Sequence, residues 1–233
     1  MSGLRSSLAV VAFACLAVSD CAPVRLPAAE LDRDATFAAH RVHNGFLIDR
    51  LEGGGAGVVE PSRWLNWHRE FRVRSEDDTL GDLALTAPGR VEVRASGATH
   101  PDDIEPAWDD GAIRLTVHRA TGEPLRFGPF ERIGGSGYSV LSRNAQTLLD
   151  VRGTYRATIV DAGGHPVGWW KLHITEPYQP RLFEGAVSGV SPAVAAGLSV
   201  ALNSEIDWIE TQALDVYRGT SGGRLDDRSG SGR

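Results

Sequence analysis

Hydrophobic and polar residues alternate with a period of two through the middle of the chain. Leu65, Trp67, Phe71 and Val73 fall on one face, with Asn66, His68, Glu70 and Arg72 on the other. Val91, Val93 and Ala95 alternate with Arg90, Glu92 and Arg94. Ile113, Leu115 and Val117 alternate with Arg114, Thr116 and His118, and Tyr155, Ala157 and Ile159 with Thr154, Arg156 and Thr158. Such patterns predict strands with one dry and one wet face, hence antiparallel pairing. The Gly/Pro-rich connectors TAPGR, ATGEP and DAGGHP punctuate them, and the last predicts a hairpin of Thr154–Val160 with Val167–Ile174. Short strands at this spacing predict a β-sandwich or a small barrel.

Two segments break the period. Leu31, Ala35, Ala38, Val42 and Phe46 recur at three and four, which predicts an N-terminal helix. Ser191-Pro192 is a helix start, because Ser caps orphan N–H groups and Pro is pre-set for the first turn. The helix is expected to run to Arg218, before Gly219. Val194, Leu198, Leu202, Ile206, Ile209, Ala213 and Val216 then make an apolar stripe, with Asn203, Asp207, Glu210, Thr211 and Arg218 opposite. Ser204 with Asp207 resembles a capping box and predicts a break in this helix. The fold class expected is therefore mainly β, within α+β, with one helix at each end. Residues 31–218 form a single domain, and the Gly/Ser-rich stretch 219–233 is expected to be a disordered tail.

Composition supports a folded body of ordinary make-up: 42% hydrophobic and 23% charged residues in a chain of 233. The net charge of −6, with scattered arginines, offers no field for nucleic acid. Lys171 is the single lysine, which leaves one residue to supply any lysine chemistry.

Motifs for catalysis or metal binding are weak. His40-x-x-His43 has the spacing of two zinc ligands on a helix but lacks a third ligand. His100–Gly111, HPDDIEPAWDDG, gathers five acids in what reads as a loop, in adjacent pairs unlike an EF-hand. RIGGSGYS, Arg132–Ser139, lacks the ending of a phosphate-binding loop and the last Gly of a nucleophile elbow. Each is therefore read without a ligand: no metal, no cofactor and no catalytic residue is assigned. A Ser/His/Asp set or a carboxylate pair assembled in space stays open, since such sites are defined by geometry. Trp169-Trp170 is the conspicuous aromatic pair. In a strand the two face opposite sides, so one enters the core and the other is covered by the helix or offers a partner contact.

The N-terminus decides the address. Arg5 precedes an apolar run from Leu8 to Val18, about eleven residues and too short to cross a bilayer. Cys21 follows, and then the Pro/Ala-rich stretch APVRLPAAE. Residues 1–21 resemble a bacterial lipoprotein signal, although Asp20 stands where a small residue is usual. The resemblance implies lipid attached to Cys21, a tether over 21–30, and outer-membrane sorting because Ala22 rather than Asp follows. Simple secretion, with cleavage after Ser19, is the alternative. Only Cys15 and Cys21 are cysteines, and attaching lipid to Cys21 removes the lone thiol that secretion would leave. The expectation is an exported cell-envelope protein of the outer membrane or periplasm, held by its lipid anchor. It would act as a non-catalytic binding or assembly module, with a possible protein partner in the envelope. An envelope hydrolase and a small-ligand carrier are the alternatives.

Overall fold

The structure, a computed structural model, describes residues 31–42, 45–52, 54–62, 69–76, 78–109, 112–133, 153–174 and 181–222, with backbone only at 108, 109, 112, 209, 210 and 212–222. Thirteen strands are described, all in one antiparallel sheet. They are β1 (Phe37–Val42), β2 (Gly45–Arg50), β3 (Gly57–Pro61), β4 (Glu70–Ser75), β5 (Thr79–Ala87), β6 (Arg90–Ala95), β7 (Asp102–Asp109), β8 (Ala112–His118), β9 (Leu125–Phe127), β10 (Glu131–Arg132), β11 (Gly153–Val160), β12 (Pro166–Ile174) and β13 (Arg181–Val187). Helix α1 (Pro192–Gly222) follows.

Two pairings close the sheet. β13 returns to β1, with Phe37 opposite Gly185 and Ala39 opposite Phe183. β9 joins β11, with Phe127 opposite Ile159. β9 and β10 occupy successive parts of the same edge of β11. The result is a barrel of twelve positions around the ring, not a sandwich. The alternation expected in β6, β8 and β11 is present: Val91 and Val93, Ile113, Leu115 and Val117, and Tyr155, Ala157 and Ile159 all face the core. The 154–160/167–174 hairpin is present as β11–β12. Of the alternating stretch from residue 63, Phe71 and Val73 are buried on β4, and residues 63–68 lie outside the described residues.

Helix α1 runs inside the barrel. Ala193, Val194, Ala195, Ala196, Leu198, Ser199, Val200, Ala201, Leu202, Asn203, Glu205 and Ile206 are all buried. A helix wrapped by the sheet has no wet side over these four turns. Ser191 starts it as expected, accepting the Val194 N–H at 3.3 Å. Gly197 lets it approach the wall: a Cβ there would lie 2.6 Å from Val93 and 3.0 Å from Ile104. Further along, Asn203 and Asp207 meet Arg181, a wholly buried arginine of β13. Arg181 Nη1 donates to Asp207 Oδ1 and Asn203 Oδ1, each at 2.8 Å, and Arg41 Nη1 donates to Asp207 Oδ1 at 3.0 Å. Asp207 is 36% exposed and Thr211 is exposed, so the helix leaves the barrel here. On the other side of the barrel interior Trp170 stacks on Phe37 at 5.6 Å and meets Phe127 edge-on at 6.4 Å. Gly185 makes room for its ring, which a Cβ would meet at 2.2 Å.

Four sequence expectations are corrected. The N-terminal helix is absent: β1 and β2 form a hairpin over the same residues. The three-and-four spacing arose because Ala38, Ala39 and His40 are buried in succession, so β1 shows no alternation. The C-terminal helix carries no single stripe over its first half, because its partner surrounds it. Nor does it break at Ser204, whose Oγ instead accepts from the Gly89 N–H at 3.4 Å, and the helix continues to Gly222. The acidic stretch is strand β7 from Asp102 to Asp109 and not a loop. Asp103 and Glu105 face outward to Arg90, at 2.8 and 2.7 Å, while Ile104 points in. The side chain of Ile209 and residues 223–233 lie outside what is described.

Truncating the plug should weaken the whole barrel. Leu198→Ala is expected to cost about 2–5 kcal/mol in chemical denaturation, as other buried leucines do. Gly197→Leu should cost more still, since the new side chain meets Val93 and Ile104 with no room to move. Asp207→Ala should cost about 2–3 kcal/mol, because it leaves the buried Arg181 short of a charged acceptor.

Candidate functional site

The wall of β11, β12, β13 and β1 has an inner apolar face and an outer polar one. On its outside Lys171 pairs with Glu184 across β12–β13, and with Arg156 across β11–β12. His173 lies opposite Thr154 and Leu182. The segment just before β1 crosses this face. Its backbone is fixed at three places: the Asp32 N–H donates to Glu184 Oε1 (2.9 Å), and Arg50 Nη1 donates to the carbonyls of Asp32 (2.5 Å) and Ala35 (3.1 Å). The Asp32 carboxylate forms an ion pair with Lys171. Glu184 is thereby covered, to 2% exposure.

Electrostatics hold this clamp in its charged form. Hydrogen bonds from Lys171 and from the Asp34 N–H lower the Asp32 carboxyl below its usual range; partial burial opposes this, and the charges of Lys171 and Arg156 add to it. Burial pushes Glu184 upward, but hydrogen bonds from His173 and the Asp32 N–H, with the electrostatic attraction of His173 and Lys171, outweigh it and leave Glu184 lowered as well.

Trp169 lies on the same outer face. The Lys171 ammonium sits 4.9 Å from the centre of its ring and the Arg156 guanidinium 5.2 Å, both within cation–π range. The Trp pair is thus divided as a strand requires: Trp170, 1% exposed, is core, and Trp169 is the partly exposed member, on the outside and not under the helix.

Thr154, His173 and Glu184 are joined in series, Thr154 Oγ1 to His173 Nδ1 at 2.9 Å and His173 Nε2 to Glu184 Oε2 at 3.4 Å. Glu184 can only accept, so Nε2 carries a proton and, in the neutral ring, Nδ1 accepts from the threonine. Hydroxyl, imidazole and carboxylate are connected as in a nucleophile triad. The position argues for a structural part. Thr154 is in the middle of the sheet, between β10 and β12, and its own carbonyl is taken by the Ile133 N–H at 2.8 Å. Backbone N–H groups committed to the ladders on both sides are not free to receive an oxyanion.

The remaining sequence candidates fall elsewhere. His40 is on β1, buried, with its Nδ1 on Asp49 Oδ2 at 2.6 Å and not on a solvated helix face; His43 lies outside the described residues. Among the described residues no three His, Cys, Asp or Glu side chains are grouped to hold a metal. Asp102 accepts the Ala120 N–H at 2.6 Å across to the β8–β9 turn. Gly134–Ser139 of the Gly-rich stretch and Cys21 lie outside the described residues. The clamp itself was missed by sequence reasoning, because Asp32 and Glu184 are 152 residues apart; the sole lysine, two residues from Trp169, was the available signal.

Two clefts flank the helix at the barrel mouths. One, of about 370 Å³, lies beside the helix start, between His100, Arg119 and Ser191; the other, of about 200 Å³, lies beside Asp207. Within the barrel, beside Trp170 and Gly185, there is an apolar void of only about 20 Å³. The protein is a closed antiparallel barrel plugged by its own helix. Compared with known protein families, curated proteins and solved structures, the chain matches none.

A carboxyl whose folded pKa is depressed stabilises the fold above its unfolded pKa, and that contribution is lost as pH falls through the folded value. Both clamp carboxyls are depressed, so the clamp is complete at neutral pH and fades from about pH 5 downward. Asp32→Asn should therefore melt below the unsubstituted protein at pH 7, and the gap should narrow as the pH falls below about 4, where the unfolded carboxyl takes up its proton. A gap that does not narrow in acid would show that the Asp32 charge is not what holds the segment.

Proposed function

We propose that this is an exported, lipid-anchored envelope protein that works as a non-catalytic binding or assembly module. Cys21 carries the anchor, and the contact face is the outer wall around Trp169. The observation that supports a binding module over a carrier is the filled barrel: α1 and the Trp170–Phe37–Phe127 cluster occupy the interior. A carrier needs an apolar cavity of several hundred Å³, and the void there is about 20 Å³. What this wall presents outward is an aromatic ring with two cations against it, a combination favoured at contact surfaces.

The outer faces of the strands opposite this wall are wet. Arg72 pairs with Asp82, Arg74 with Glu60 and Arg94 with Glu92, with these side chains 44–61% exposed. Charges at this density would be costly against hydrocarbon, so the reading places the barrel in water beside a membrane and not across it.

Mass spectrometry of the mature protein should find acylated Cys21 as its first residue, and Cys21→Ser should release the protein from membranes. An N-terminus at Asp20, after Ser19, would replace the anchor with simple secretion. A photo-crosslinking residue at position 169 should give a discrete adduct in cells, and one at Ala84, on the far wall, should not. Equal labelling from both positions would remove the contact face from the proposal.

A further inference from the structure

We propose that the partner of the Trp169 wall is the phospholipid surface that holds the anchor, so that the barrel lies on its side with β11, β12 and β13 against the headgroups. The inference rests on the anchor at Cys21 and extends it to an orientation.

Its first ground is where the tether ends. Eleven Cα-to-Cα steps separate Cys21 from Asp32. Fully extended they reach about 36–40 Å. Asp32 itself is held on the side wall, not at either mouth. Its N–H is on Glu184, its carbonyl is on Arg50 and its carboxylate is on Lys171. A lipid anchor at Cys21 therefore keeps this wall within about 40 Å of the headgroups.

The second ground is what stands beside that point. Trp169 has an apolar body and one polar N–H, the side chain enriched where hydrocarbon meets water. Arg156 is exposed, with its guanidinium against that ring, and a guanidinium matches a phosphate geometrically. Lys171 is already held by Asp32 and Glu184, so Arg156 is the residue left to reach headgroup phosphates. Six positions round the ring from β12 stands β5, which shares the exposed Arg72–Asp82 pair with β4 and lies beside the Arg94–Glu92 pair of β6. The wall beside the tether thus carries the interfacial aromatic, and the wall farthest from it carries hydrated ion pairs.

The test uses the chain beginning at Cys21, whose one thiol is coupled chemically to a maleimide lipid in vesicles of phosphatidylethanolamine and phosphatidylglycerol. The anchor is then present whether or not a cell attaches it, so a failure of lipidation and a failure of this orientation give different results. Tryptophan quenching by lipids labelled just below the headgroup is compared with that of Trp169→Phe, both proteins first shown to melt alike. The expected result is that the quenched component disappears in Trp169→Phe. Arg156→Ser at low salt should lower the wall-bound fraction about five-fold, the usual effect of one basic residue at an anionic surface. Quenching unchanged in Trp169→Phe would overturn the proposal. So would a stable dimer that buries Trp169 before vesicles are added, since the wall would then be an interface between copies of this chain.

Discussion

A ring of twelve strand positions encloses more space than its own side chains can fill. About eight strands is the size at which inward-facing side chains meet and close the core. Here the shortfall is made up by the chain's own C-terminal segment. That requirement explains the composition of α1. Residues 193–202, AVAAGLSVAL, carry no charge and four alanines, because every side of the helix meets a wall. It explains Gly197, where the wall is too near for a Cβ. It also explains a buried arginine: Arg181 projects inward from β13 and fixes the helix along the barrel axis through Asn203 and Asp207. A charge in that position is costly unless paired and hydrogen-bonded, and it therefore disfavours any other depth of insertion.

The plug limits what the barrel can do. Open barrels of this width hold ligands in their interiors; in this one, Leu198, Leu202 and Ile206 take that space, with Trp170 and Phe127 beyond them. The outer wall stays open to solvent. There the sheet distinguishes its sides: β3 to β8 carry exposed, alternating charges that are worth little individually, while β12, β13 and the segment before β1 carry a partly buried network of Asp32, Lys171, His173 and Glu184.

What could be read in the sequence depended on whether an element had one dry face or two. Val91/Val93, Leu115/Val117 and Ala157/Ile159 belong to strands with core on one side and water on the other, and their period of two was plain. β1 has core behind it and the 31–36 segment in front of it, so Ala38, Ala39 and His40 are buried together; the surviving pattern imitated a helix. For α1 the apolar stripe was real as a list of residues but described only part of a surface that is buried all round. The uncharged run from Ala193 to Leu202 was the feature that carried the information. The acids of β7 hid their strand because Ile104 is its one inward apolar residue of proven burial. The division of Trp169 from Trp170 followed from strand geometry alone. The clamp did not, because it exists only once β13 has closed on β1.

That closure ties the two ends of the molecule together. β1 pairs with β13, so the first strand, the last strand and the helix that follows it share one seam. The same stretch of β13 serves both faces: Glu184 points out to Asp32 and Lys171, while Arg181, Phe183 and Gly185 point in to Asp207, Phe46 and Trp170. Its outward residue holds the segment that precedes β1, and its inward residues hold the plug. A pull on the chain ahead of Asp32 would be borne first by the Asp32 ion pair and its backbone hydrogen bonds, directly over the strand that Arg181 fastens to the helix. The barrel can be held from its side without loading an open edge, since the strand under load has neighbours on both sides and a helix behind it.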